Sequence, residues 1–371
     1  MQVRHHLRNF SQILIDRFNG GWSNPPQNEN KYLGGTLRGI TEKMDYIQSL
    51  GATCIWLSPF FQNDAYHGYH ITDYEQIDSH FGTWADLSDL INAAHERKLR
   101  VIADFVPNHC HVKHPFFQDA VNNPVTSKYR DWFYFKDSQS SDCLHFGDYM
   151  ELPKLNLENP ATKDYIIRVG EHLTSIGIDG FRIDHALGAS MTFLKSFRDR
   201  MHELNPNTIV FGEVWPYNIK RRYFNTLRFR SFWRKCWCWL FGFNQETLQQ
   251  DYIGVLDGVL DFKFQELLID EVKAGRRLAQ NEELERKLKK HFSRYPSDFQ
   301  LIPFIDNHDT NRFLFYCNGD ETLLTEALDV MKKTGKEYVV YYGTECFMSN
   351  KRTIFNAEPY ADLAVREAMK W

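Results

Sequence analysis

The 371-residue sequence lacks the marks of several protein classes. It has no apolar run of 18 residues, so no membrane-spanning helix is expected. The N-terminal "MQVRHHLRNFSQILID" has no apolar core of the kind a secretory signal requires. Its seven cysteines (Cys54, Cys110, Cys143, Cys236, Cys238, Cys317 and Cys346) offer one close pair and no CxxC…CxxC framework, which argues against structural zinc. No glycine-rich phosphate loop follows a candidate strand, which disfavours a nucleotide-binding fold. The net charge of −4 is small, so neither nucleic acid nor an anionic membrane is expected as a partner. These absences describe a soluble, reduced, cytoplasmic chain with free thiols. Aromatic residues, by contrast, are abundant at 15%. They serve either a large core or sugar-stacking platforms, and composition leaves both open.

Short apolar segments alternate with helical stripes. Strands are expected at 12–16, 54–58, 100–106, 180–184, 208–214, 258–262, 301–306 and 337–343. Between them, Leu37, Ile40, Met44, Ile47 and Leu50 keep a period near 3.6 and end at Gly51. "TWAD" (83–86) reads as a capping box, and Asn159-Pro160 as an N-cap followed by the first helical residue. Eight strand–helix units imply a (β/α)8 TIM barrel rather than an open doubly wound sheet. Residues 1–106 and 159–371 are expected to form that barrel, with 107–158 as a small inserted subdomain.

The C-terminal ends of barrel strands share one face, where the chemistry of such folds sits. That rim collects Asp104, Asn108 and His109, then Arg182 and Asp184, then Glu213, then His308 and Asp309, and, after the second strand, His67, Tyr69, His70 and Asp73. A lone Asp at a strand end is most often a cap or an ion-pair partner, and His109 alone reads as a packing residue. Their co-location is the improbable feature. A binuclear metal hydrolase would need an HxH pair on the first strand, and "LIDRF" (14–18) has none. Excess carboxylate beside an arginine suits a glycosidase, in which one carboxylate attacks and a second donates a proton. Arg182 and Asp184, two apart, share a face of their strand. Glu213 is flanked by Val214 and Trp215, so apolar surroundings are expected for it.

"DFVPNH" (104–109), "GFRIDHA" (180–186), "GEVW" (212–215) and "FIDNHD" (304–309) resemble, in order, the four signature segments of the α-amylase family of glycoside hydrolases. "LPKLN" (152–156) resembles that family's fifth motif in its neopullulanase and cyclomaltodextrinase branch. The resemblance runs from "DRFNGG" (16–21) to "YYGTE" (341–345). It implies Asp184 as nucleophile, Glu213 as general acid/base and Asp309 as stabiliser of an oxocarbenium-like sugar. It further implies that Arg182 orients Asp184, that His109 and His308 bond the sugar, that Tyr69 stacks on it, and that Asp104 braces Arg182 and Tyr69. The implied activity is retaining cleavage of α-glucosidic, mainly α-1,4, bonds in malto-oligosaccharides, cyclodextrins or starch-like glucans. Transglycosylation, maltose isomerisation and a non-catalytic binding subunit are the alternatives.

Three departures stand out. Where many members carry an Asp that helps bind calcium, this sequence has Lys154; Asn108, the other residue such an ion would use, is retained. An ammonium in place of a carboxylate argues against calcium, so no metal or cofactor is expected. The family's C-terminal β domain is not seen, and "AVREAMKW" (364–371) is expected to lie in the eighth helix with apolar surface in need of a partner. Self-association is expected through that end or through the basic, aromatic segment 216–250. His185 has no assigned role.

Overall fold

In the computed structural model, which describes residues 9–216, 223–356 and 358–371, eight short strands pair into one sheet. They are β1 (Asn9–Ile13), β2 (Cys54–Leu57), β3 (Arg100–Phe105), β4 (Gly180–Ile183), β5 (Ile209–Gly212), β6 (Gly258–Asp261), β7 (Gln300–Pro303) and β8 (Tyr338–Tyr341). Their spatial order is β7-β6-β5-β4-β3-β2-β1-β8. Neighbours in space are thus neighbours in the chain, and a parallel bridge from Phe304 to Val339 joins the two ends. This is a nearly closed (β/α)8 barrel. The strands are almost wholly buried and rich in Val, Ile, Leu and Phe, as parallel strands covered on both faces must be.

β1 lies three residues earlier than 12–16. The reason is Asp16, whose buried carboxylate accepts the N–H groups of Leu33 and Gly34 at 2.9–3.1 Å and draws the chain out of the sheet into a helical turn, Ile15–Phe18. The 37–50 stripe is two helices, Leu37–Glu42 and Met44–Ser49. Thr41 Oγ donates back to the Leu37 carbonyl at 3.1 Å, a bond that loosens a helix locally.

Two compact units emerge from the packing. One comprises the described residues up to Ser58, 80–102 and 258 onward; the other comprises 59–79 and 103–257. In the first, helix Trp84–Glu96 begins with the expected capping box, Thr83 and Asp86 each bonding the other's backbone, and buries Leu87, Leu90, Ile91 and Ala94. Helices Phe262–Lys273, Glu282–Phe292 and Glu321–Lys333 share a core that includes Phe264, Leu268, Leu284, Leu288, Ala327 and Met331.

The expected eighth helix at 364–371 is not there. A 3₁₀ turn, Ala361–Val365, is followed by an irregular tail. The tail is pinned instead by backbone groups of the same unit: Met369 N–H donates to the Arg17 carbonyl at 2.7 Å, and Trp371 Nε1 to that of Phe18 at 3.1 Å. Val365, Ala368 and Met369 are buried, while Trp371 stays partly exposed.

In the second unit, helices Pro160–Ser175 and Met191–Leu204 pack closely. A Cβ on Gly170 would lie 2.5 Å from the Phe197 ring, which explains the glycine. Asn159 caps the first of them, with Pro160 at its first position. Residues 107–158 hold helix Pro115–Asn122, a 3₁₀ turn Arg130–Trp132 and a hairpin of His145–Phe146 with Tyr149–Pro153. A second hairpin, Phe61–Asn63 with Ile71–Ile77, was not expected, because its polar and aromatic residues carry no apolar run. Helix Phe232–Phe241 buries only Cys238 and exposes Phe232, Trp233, Trp237, Trp239, Leu240 and Phe241.

Candidate active site

β4 carries a cation into a buried setting. The Arg182 side chain is fully buried, and its guanidinium meets three carboxylates, all from the second unit. Nη1 donates to Asp104 Oδ1 at 2.7 Å and to Asp184 Oδ1 at 2.9 Å, while Nη2 is ion-paired with Glu213 Oε1 at 2.6 Å. Burial works against the charge on Arg182, but Asp104, Glu213, Tyr69 and Asp184 outweigh it and hold the guanidinium well above its usual value. One guanidinium thus serves three carboxyl groups.

The carboxylates arrive from adjacent strands. Asp184 N–H donates to the Phe105 carbonyl at 2.8 Å, and Glu213 N–H to that of Ile183 at 2.9 Å, so the ladder continues one residue past β4 and β5 at their C-terminal rim. The second oxygen of Asp104 accepts the Tyr69 hydroxyl at 2.9 Å, and the Tyr69 ring centroid lies 6.0 Å from the guanidinium carbon. His67 Nδ1 accepts the Tyr69 N–H at 3.1 Å. His70 stacks on His111, and Asp73 accepts the Glu75 N–H; both lie outside the Arg182 cluster.

The apolar company expected for Glu213 needs correcting. Its neighbours in sequence are apolar, yet its carboxylate holds Arg182 on one oxygen and the His185 backbone N–H, at 3.2 Å, on the other. His185 adopts a left-handed backbone (φ 41°, ψ 53°), uncommon for a residue with a side chain, and that turn aims its N–H at Glu213. The His185 ring packs edge-on against Phe146 at 4.6 Å, and burial holds its imidazole well below the usual value, neutral.

His109 stacks on the Phe146 ring, 4.9 Å away with 19° between the rings. Burial pushes it down to about 3, with His70 and Lys154 adding in the same direction. Its Nδ1 is 3.2 Å from Asn108 Nδ2, and its Nε2 3.2 Å from the Tyr69 carbonyl. Lys154, also buried, donates to Asn108 Oδ1 and to the Gly188 carbonyl, each at 2.5 Å. Burial lowers its amine well below an ordinary lysine; Arg228 adds to this and Glu158 opposes it.

Calcium takes six to eight oxygens, carboxylates among them, at ~2.3–2.6 Å. Here Asn108 Oδ1 is occupied by an amine, and among the described residues no group of three or more His, Cys, Asp or Glu side chains is arranged to hold a metal. The residues present do not fit the ion.

In the first unit, His308 and Asp309 follow β7. His308 Nε2 is 2.9 Å from Asp309 Oδ2, and its Nδ1 is 2.7 Å from Gln12 Nε2. A carboxylate only accepts, so Nε2 carries the proton and Nδ1 accepts from the Gln12 amide. The other Asp309 oxygen accepts from Arg366 Nη2 at 2.7 Å, and Arg366 Nε donates to the His308 carbonyl at 2.9 Å. Arg366 and Gln12, which bond His308 and Asp309 in the first unit, and Phe146, which stacks on His109 in the second, are contacts that sequence reasoning missed. They lie outside every motif, and Arg366 sits in a segment misread as helix.

A model of the α-amylase catalytic domain matches residues 12–371. The chain belongs to the α-amylase family. Alpha-amylase 2 of Dictyoglomus thermophilum is 33% identical over 369 residues, covering 97% of this chain and 58% of that relative. A cyclomaltodextrinase from Bacillus sp is 28% identical, covering 98% and 61%. Among solved structures, a cyclic α-maltosyl-(1→6)-maltose hydrolase from Arthrobacter globiformis superposes with a TM-score of 0.78 at 25% identity, covering 98% of this chain and 78% of that one. These α-amylase-family relatives are glycosidases by name. The chain spans less than two thirds of the length of the curated relatives it matches first.

Proposed function

We propose that this α-amylase-family chain is a retaining glycosidase that cleaves α-1,4-glucosidic bonds of malto-oligosaccharides, cyclodextrins and starch-like glucans. The observation that carries the reading is the Arg182 guanidinium holding Asp104, Asp184 and Glu213 at the ends of three adjacent strands. Asp184, oriented by Arg182, attacks the anomeric carbon as its bond to the leaving oxygen breaks; Glu213, protonated at this step, gives its proton to that oxygen and, then as a carboxylate, takes one from the water that hydrolyses the glycosyl-Asp184 ester. Preorganised carboxylates at the cluster complement the positive charge that develops on the sugar, and in many enzymes such preorganised charge lowers the barrier more than any other effect. Both carboxylates contact nitrogens of one guanidinium, which supports the ~5–5.5 Å spacing of a double displacement over the ~6.5–9.5 Å of an inverting enzyme.

Asp309, set by His308 and Arg366, stabilises the oxocarbenium-like sugar. Tyr69 stacks on that sugar, His109 and His308 bond its hydroxyls, and Asp104 braces Arg182 and Tyr69. Residues 107–158 act as the inserted subdomain that borders the site. The enzyme works in the cytoplasm, in keeping with seven free thiols and with an intracellular maltogenic amylase of Bacillus subtilis among its relatives.

Incubation with maltotriose, β-cyclodextrin, pullulan and starch, with products separated by chromatography, tests the activity. Shorter products are expected. Products longer than the substrate would assign transfer, and an unchanged mixture with folded protein would refute the reading.

A further inference from the structure

We propose that an aromatic pocket in the second unit, built from none of the residues of the Arg182 cluster, is an additional binding site for a glucosyl unit of an α-glucan. The pocket holds about 340 Å³ and is walled by Phe116, Tyr129, Trp132 and Tyr165. Phe116 and Tyr129 stack at 4.1 Å with 13° between their rings. Trp132 stands nearly perpendicular to both, 5.1 and 5.0 Å away, and Tyr165 meets Trp132 at 5.4 Å. Rings gathered only to make a core close on one another, since protein interiors leave few voids larger than a water molecule. These leave a recess whose volume falls at the lower end of the ~300–1,000 Å³ of small-molecule sites.

The polar groups of the recess narrow the ligand. Glu75, Lys128 and Arg168 line it and are exposed. The Tyr165 hydroxyl hydrogen-bonds to Glu75, and Lys128 Nζ lies 4.9 Å from the Tyr129 ring centroid. A pyranose has a face of C–H groups and a rim of hydroxyls that both donate and accept. The aromatic walls bury the former, while one carboxylate acceptor and two cationic donors meet the latter. An anionic ligand would face Glu75 as well as the two cations, so a neutral sugar fits better. The wall is set in advance: Asn156 N–H donates to the Trp132 carbonyl at 2.7 Å, and Arg130 Nη1 to that of Ala120 at 3.0 Å, which keeps the ordering cost of binding low. Tyr74 joins this wall to the rim. Its ring meets Tyr165 edge-on at 6.3 Å, and its hydroxyl donates to the carbonyls of Val106 and His109 at 2.8 Å. A second hold of this kind raises the effective concentration of a polymer at the rim. The choice of glucan as the sugar rests on the proposed cleavage; the pocket itself does not.

Two binding measurements on the full chain carrying Asp184→Asn, which prevents turnover, test this. In nitrogen-15 NMR with labelled tryptophan, the Trp132 indole signal, assigned with Trp132→Phe, is expected to shift as maltotriose is added. In native gels containing glycogen, migration relative to a glycogen-free gel is expected to be retarded, and several-fold less so when Lys128→Ala and Arg168→Ala are added. Without Asp184→Asn, that double variant should keep the wild-type kcat/KM on maltotriose. An indole signal that maltotriose does not move, or equal retardation with and without the two cations, would overturn the proposal. The indole measurement leaves the pocket unaltered and decides even where the double variant does not fold. If both binding results hold while the wild type leaves maltotriose uncut, the pocket stands and the cleavage reading falls.

Discussion

Arg182 in the second unit and Arg366 in the first each show how a single side chain orders carboxylates around it. Asp184→Asn removes the proposed nucleophile while keeping its shape, and kcat on maltotriose is expected to fall by more than about 10³-fold. The melting midpoint should stay level or rise, since relieving a functional cluster often stabilises; an unfolded variant would assign Asp184 a structural role. Arg366→Met removes the guanidinium that donates to one oxygen of Asp309 and to the His308 carbonyl. It is expected to lower kcat more than it raises KM, because a group acting on the developing charge is lost; a change in KM alone would contradict this. The Arg182 cluster was legible in the sequence because motif and strand end coincide at Asp104, Asp184 and Glu213. The setting of Glu213 was not, because Arg182 reaches it from the neighbouring strand and His185 from a left-handed turn. Neither is written in the neighbours of Glu213.

Among the strands and helices, apolar runs and caps carried most of the information. All eight strands were found within a few residues, since a parallel barrel strand must be apolar on both faces. The hairpin Phe61–Asn63 with Ile71–Ile77 was missed for want of that signal. The tail at 364–371 was misread because its groups bind backbone carbonyls of Arg17 and Phe18, contacts no local pattern records. Thr83→Ala breaks the capping box of helix Trp84–Glu96 and is expected to cost about 1 kcal/mol in urea unfolding; no shift in the midpoint would show that the cap is redundant.

Two carboxylates clamp the loop between helices Phe262–Lys273 and Glu282–Phe292. Glu271, bonded by Arg276, Lys287 and Asn281, and Glu326, bonded by Arg277 and the N–H groups of Leu278 and Ala279, are each lowered to about 2. Their folded values lie below the unfolded ones, so their stabilisation is present above about 4.5 and is lost as the pH falls toward 2. Acid unfolding between those limits should be shallower in Glu271→Gln than in the wild type. Identical acid profiles would exclude the clamp.

For the whole molecule, fold and family were legible from the order of five short motifs. Association is the property that chemistry at the rim does not determine. Between Val214 and Gln245 the sequence has seven Lys and Arg and no Asp or Glu, and helix Phe232–Phe241 turns its apolar arc outward. We expect copies of the chain to associate through this arc, since an exposed apolar face of this kind marks a contact surface. Sedimentation velocity should then show a concentration-dependent species that Trp233→Ser with Trp237→Ser abolishes. A monomer at every concentration would refute it.

Cleavage through a glycosyl-Asp184 intermediate inverts the anomeric carbon twice, so the configuration of the first product reports on it. Proton NMR of maltotriose cleavage, recorded before mutarotation, should show the α-anomer appearing first at the newly formed reducing end. The β-anomer appearing first would contradict such an intermediate.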